Sequence, residues 1–216
     1  MSIKENVVEM TFDKAEEILK KYLKTFYEND YEKFTDDDFY YLLFYSVLQI
    51  NKESELAKFC GFKKVDDYFN SENDKGLNRN RVLVIKESIQ KIRNRFNSIK
   101  TRDESAFEDS FVEFLEWWCD QSANGKMKCF YCEATEDEIR IAKETGRIIE
   151  SDKASFNTFF HIDRKDSKDH HYNKTNCVFA CVLCNNAKSD MISDTDFKKY
   201  FGKAMKDFWI GKKETD

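Results

Sequence analysis

Cys129-Phe-Tyr-Cys132 and Cys181-Val-Leu-Cys184 are two Cys-x-x-Cys pairs in one chain, and no other feature constrains its fold as much. Each pair sets two sulfurs on one tight turn, and four thiolates match the tetrahedral preference of a closed structural zinc site. An ion held by four protein ligands is a staple, with no open position for chemistry. This one would bracket the segment His161-Ile-Asp163-Arg164, and Asn185-Asn-Ala-Lys188 follows the second pair at once. The stapled stretch therefore carries an imidazole, a carboxylate and a carboxamide, the ligands and bases of a hard-metal hydrolytic site. A thiol-disulfide role fits poorly, because the second pair runs into a carboxamide and neither pair sits in a βαβ pattern.

If Phe159 to Asp163 is a strand, His161 and Asp163 face one side and Arg164 the other. One imidazole and one carboxylate then converge on a point that Asn185, at the start of a helix, also reaches. His161, Asp163 and Asn185 are thus candidate ligands for a divalent cation that keeps open positions for a phosphate oxygen. The attacking water still needs a base. Arg164 stays protonated at physiological pH and fits a phosphate clamp. His161 is the nearest group with a suitable pKa, and His170 and His171 are the only other histidines. Lys188 reads equally as a phosphate contact or a solvated helix residue. Asn176 reads as a loop tie that hydrogen-bonds to backbone.

Together these residues resemble the HNH (ββα-metal) endonuclease family, in the version clamped by a four-cysteine zinc, over roughly residues 126 to 210. The resemblance implies a strand ending in a metal-binding Asp, a loop leading to a structural Asn, and a helix with a second metal ligand. Asp163, Asn176 and Asn185 match those positions. It also implies structural Zn2+ on Cys129, Cys132, Cys181 and Cys184, catalytic Mg2+ or Mn2+, and single-strand cuts in DNA. The departure is at the base, where Arg164 stands in place of the family's His, as in variants that read Ile-Asp-Arg. The alternative is a catalytically degenerate zinc-stabilised nucleic-acid-binding or adaptor module. Arg164 favours that alternative, whereas the intact Asp163 and Asn185 favour the enzyme.

The first half of the chain lies outside the resemblance. At 216 residues, 41% hydrophobic and 15% aromatic, the whole suffices for one domain or two small ones. The net charge of -5 sits awkwardly with a nucleic-acid partner, but its distribution matters more than its sum. Residues 126–216 hold 17 basic and 16 acidic side chains, so the acidic excess belongs to residues 1–125. One basic run breaks that excess: Arg79, Arg81, Lys86, Lys91, Arg93, Arg95 and Lys100, opposed only by Glu87. In the same run Val82, Ile85, Ile89, Ile92, Phe96 and Ile99 recur at helical spacing. A helix packed by that stripe would carry Lys86, Arg93 and Lys100 on one edge, with Lys91 and Arg95 on the other, as candidate DNA contacts.

Other helices are expected at 13–28 behind an Asp13-x-x-Glu16 capping box, from Phe39 to Ile50 behind Thr35-Asp-Asp-Asp38, from Ser54 to Gly61, and from a Ser105-x-x-Glu108 box. Residues 71–76 read as a loop, Gln121 to Gly125 as a linker, and Ser193 through Trp209 as a capped amphipathic helix. The fold class expected is therefore mainly α: a helical domain over 1–125, offering a DNA- or partner-binding surface or a homodimer contact, and a zinc-stapled ββα module over 126–216. Cys60, Cys119 and Cys177 read as buried thiols. Without a membrane-length apolar run or an apolar start after Met1, a cytoplasmic location is expected.

Overall fold

The computed structural model describes residues 3–49, 79–123, 125–148 and 160–211, leaving aside the side chains of residues 3–11, 79 and 123. The helix expected at Ser54–Gly61, Cys60 and the loop at 71–76 lie outside the described residues. The chain divides into two compact units, one of residues 1–104 and 109–119, the other of residues 105–108 and 120–216. Among the described residues the structure is mainly helical, with two small two-stranded sheets.

In the first unit, helix α1 (Ile3–Phe26) buries Ala15, Ile18, Leu19, Tyr22 and Leu23. It does not begin at the Asp13 box. Nothing between Ile3 and Asp13 breaks a helix, so the chain runs straight through a capping signal that a genuine terminus would have used. After a single turn, α2 (Glu28–Tyr31), helix α3 (Asp36–Leu42) does open on its predicted box: Asp38 N–H donates to Thr35 Oγ1 (3.2 Å) and Thr35 N–H to Asp38 Oδ2 (3.0 Å). It widens into a π-type stretch, Leu43–Leu48, and ends at Gln49 in the left-handed region (φ 54°).

Helix α4 (Arg79–Lys100) is the basic helix, and its stripe from Val82 to Ile99 is buried as the spacing predicts. Helix α5 (Phe111–Asp120) packs Phe114 against Phe96, with ring centroids 5.4 Å apart. It starts later than the Ser105 box predicts, because Phe107, Glu108 and Asp109 all adopt positive φ (51°, 55° and 58°), which no right-handed helix accommodates.

One member of the expected basic ridge on α4 is taken up inside its own unit. Arg93 is buried; its Nη2 donates to the Ser46 carbonyl (3.0 Å) and to the Val47 carbonyl, and its guanidinium lies 3.7 Å from the centre of the Phe111 ring. It thus caps carbonyls at the end of the π-type stretch, and burial lowers its pKa to about 10, which still leaves it cationic. Lys86 donates to the Tyr41 hydroxyl (3.1 Å), and Lys100 is paired with Asp109. Of the expected contacts, Lys91 is exposed and Arg95 is half-buried, 5.3 Å over the Trp118 ring. Arg93 as a DNA contact is therefore corrected: helical periodicity marks which edge a residue occupies, but not whether a neighbouring helix end captures its head group.

The second unit opens with a hairpin of β1 (Ser122–Ala123) and β2 (Lys126–Met127), so the expected linker is a paired turn, closed by Gly125 at φ 72°. Helix α6 (Glu136–Glu144) follows, opened by a Thr135/Glu138 capping box. Strands β3 (Phe160–Arg164) and β4 (Cys177–Cys181) pair antiparallel in the register His161↔Ala180, Asp163↔Val178. Helix α7 (Val182–Lys188) springs directly from β4, and α8 (Asp194–Ile210), capped by Ser193 as expected, follows it. No helix among the described residues is long and apolar enough to cross a membrane.

Arg93→Ala strips the partner from two buried carbonyls and the cation from the Phe111 ring, so it should destabilise the protein by about 2–4 kcal/mol. Urea unfolding checks the value; a loss below about 0.5 kcal/mol, the scale of an ordinary surface change, contradicts the capping role.

Candidate functional site

Backbone geometry builds both cysteine turns. In the first, Cys129 N–H donates to the Ala134 carbonyl (2.9 Å) and Glu133 N–H to the Cys129 carbonyl (2.8 Å), with Glu133 left-handed at φ 60°. In the second, Cys181 ends β4 and caps α7, its Sγ accepting from Cys184 N–H at 3.5 Å. The turns dock because Phe130 N–H donates to the Phe179 carbonyl on β4 (2.7 Å) and Cys181 N–H donates to Cys129 Sγ (3.2 Å).

All four sulfurs are buried and lie within 4.8 Å of one another, with Cys132 and Cys181 at 3.8 Å. Sulfurs about 2.3 Å from a central zinc stand about 3.8 Å apart in a tetrahedron, so the cage has the size zinc requires. It can hold a structural metal such as zinc, and among the described residues it is the only group of three or more His, Cys, Asp or Glu side chains so arranged. Hydrogen bonds from Cys132, Cys181 and Cys184 pull the Cys129 thiol below its ordinary range, whereas the bonds to Cys129, together with burial, push Cys132 and Cys184 above it. A divalent cation in the cage would deprotonate the coordinating thiols outright.

Strand β3 lies against this cage. His161 faces the first turn of α7, where Asn185 Nδ2 lies 3.1 Å from its Nδ1. Asp163 shares that strand face, and its Oδ2 accepts from the Tyr131 hydroxyl (2.6 Å) and pairs with Lys188 Nζ (3.4 Å). Burial raises the Asp163 carboxyl above its ordinary value, opposed by the Tyr131 and Lys188 bonds, while burial followed by the Asp163 contact raises the Tyr131 phenol.

Lys188 is neither phosphate contact nor solvated. It is completely buried, its Nζ donating to the Arg164 carbonyl (3.0 Å) and the Ser167 hydroxyl (3.4 Å), 5.8 Å from the centre of the Tyr131 ring. As a DNA contact it is corrected, because α7 folds back so that its last turn covers the end of β3. A carboxylate, a carbonyl, a hydroxyl and an aromatic face there replace the hydration shell of the ammonium.

Arg164 occupies the other face, with Nη1 3.5 Å from His170 Nδ1 and its guanidinium 5.0 Å from the centre of the Tyr172 ring. Asn176 is a buried loop tie: its Oδ1 accepts from Asp166 N–H (2.9 Å) and its Nδ2 points at the carbonyls of Asp166, Asp169 and His171, each 3.2 Å away. Of the residues singled out by sequence, His161 and Asn185 are in contact and Asp163 is on their side, whereas Arg164 is apart. Tyr131 and the role of Lys188 went unread. The one signal for Tyr131 is its position inside the first Cys-x-x-Cys, where the spacing specifies a metal turn and leaves the partner of the intervening side chain undetermined.

Comparison of the chain with protein-family models, with curated proteins and with solved structures gave no match.

The purified protein should carry one zinc per chain, and Cys132→Ser or Cys181→Ser should lose the metal and sharply lower thermal stability, since the cage joins two turns distant in sequence. Elemental analysis and thermal melts read both. Native protein that is fully stable with no bound metal contradicts the staple.

Proposed function

We propose that the chain is a metal-dependent DNA endonuclease of the HNH type, hydrolysing phosphodiester bonds in the cytoplasm with a zinc-clamped β3–β4–α7 unit. The observation that carries this reading is the contact between His161 and Asn185, on the strand face that also bears Asp163 and beside a zinc-sized cage. A carboxylate oxygen from Asp163 and a carboxamide oxygen from Asn185, with His161 beside them, are donors that suit Mg2+ or Mn2+. Such a cation, when bound, supplies charge against the phosphate and the leaving oxygen.

His161 is the group that takes the proton from the attacking water, and Asn185 sets its tautomer. With Asn185 Nδ2 donating, Nδ1 of the imidazole is the acceptor and Nε2 keeps its proton. With the carboxamide turned over at the same 3.1 Å spacing, Oδ1 accepts from Nδ1–H and the Nε2 lone pair is free. A general base needs the second arrangement. Arg164, across the strand and beside His170, suits a flanking phosphate better than the scissile one. Lys86, Lys91, Arg95 and Lys100 remain candidates for DNA contact on α4, and a partner protein or second copy of the chain is the other use for the helical unit.

One observation favours a second reading, a catalytically degenerate zinc-stabilised nucleic-acid-binding or adaptor module. Asp163 Oδ2 already serves Tyr131 and Lys188, so a cation at Asp163 has to share that carboxylate.

Plasmid nicking with Mg2+, Mn2+ or EDTA separates the readings. Asp163→Ala should abolish cleavage, His161→Ala should slow it by roughly two to four orders of magnitude, and Arg164→Ala should act mainly on substrate binding. Cleavage that survives both Asp163→Ala and His161→Ala would pass the case to the binding module.

A further inference from the structure

The zinc cage and the Asp163 carboxylate are joined by one side chain that neither role accounts for. Tyr131 stands between Cys129 and Cys132 in the first cysteine turn, and its hydroxyl donates to Asp163 Oδ2 at 2.6 Å. Its remaining freedom is closed off. Its ring meets Phe197 edge-on with centroids 5.3 Å apart, and a Cβ added at Gly202 of α8 would stand 2.5 Å from the Tyr131 carbonyl oxygen, so the helix backbone lies directly on the turn. The second partner of Asp163 also hangs from the cage, because Lys188 lies one helical turn beyond Cys184 on α7. Both contacts to Asp163 thus originate from zinc turns, one from each Cys-x-x-Cys pair.

We infer that Tyr131 is a positioning residue that couples metal occupancy of the cysteine cage to the placement of Asp163. This rests on the zinc reading of the cage and is independent of the nuclease reading. With the cage filled, the first cysteine turn has one conformation and delivers the phenol to the buried carboxylate. With the cage empty the turn keeps its backbone bonds to Ala134 and Phe179 but loses the tie of Cys129 and Cys132 to the second pair, so the phenol is held less firmly against the buried carboxylate. Coupling free energies are reciprocal, so whatever zinc contributes to the Tyr131–Asp163 bond, the bond returns to zinc retention.

Reciprocity makes the inference measurable without a DNA substrate. Full-length chains are equilibrated with zinc and a competing chromogenic chelator, and the zinc dissociation constant is read for wild type, Tyr131→Phe, Asp163→Asn and the double variant. A buried hydrogen bond to a carboxylate is strong enough that Tyr131→Phe should weaken zinc binding about tenfold or more. In the Asp163→Asn background the same substitution should weaken binding by no more than a few-fold, because the charged acceptor is already gone. Ile139→Val, in the core of α6 within the same unit, should lower the melting temperature yet bind zinc with wild-type affinity. Should Asp163→Asn not fold, Tyr131→Phe against Ile139→Val still decides. Wild-type zinc affinity in Tyr131→Phe, or equal weakening in both Asp163 backgrounds, overturns the coupling while leaving the cage intact. A wild-type chain without zinc overturns the cage and the coupling together.

Discussion

Four buried sulfurs bring together the two cysteine turns of the second unit, and the elements around the candidate site meet at them. Two five-residue strands joined by a hairpin loop are marginal in water alone. The cysteine cage supplies the missing tie at one end of that hairpin, where Cys181 is at once the last residue of β4, the cap of α7 and a wall of the cage. Cys129 and Cys132 bring in a turn distant in sequence and dock it on β4 through the Phe130 and Cys181 amides. A metal there would add its binding free energy to an apolar core that Phe160, Phe179, Phe197 and Trp209 already supply.

At the other end of the hairpin the tie is a buried polar network. Asp163, Tyr131, Lys188, Ser167 and the Arg164 carbonyl satisfy one another, and the loop after β3 is fixed by Asn176. A buried ion pair of this kind is costly to break, since removing one partner strands the other in a low dielectric, at a cost of about 3–5 kcal/mol. His161 lies between the two ties, on a strand held at both ends, with Asn185 of α7 against it. That is the rigid support a hydrolytic site requires, and it is equally the support of a binding module.

Features set by local chemistry were legible in the sequence. The isoleucine stripe of α4, the Thr35 and Ser193 caps, and the sharing of one face by His161 and Asp163 all follow from spacing, and the structure has them where the spacing puts them. Helix α6 carries a Thr135-x-x-Glu138 signature of the same kind. Features set by distant contacts were not legible. Arg93 and Lys188 are lysine- and arginine-type heads on helix edges, which spacing assigns to solvent, yet each is drawn inward by groups about 24 to 47 residues away in sequence. The Asp13 and Ser105 boxes failed for a related reason. A capping signal fixes a terminus only where the chain before it leaves helical geometry, and the chain before Asp13 does not, whereas Phe107 to Asp109 leave it after the box.

Zinc K-edge X-ray absorption on the purified protein bears most directly on the cage from which this account is built. The account predicts a single shell of four sulfur scatterers at about 2.3 Å, with no nitrogen or oxygen in the first coordination sphere. A mixed shell containing light-atom ligands, or fewer than four sulfurs, would contradict it.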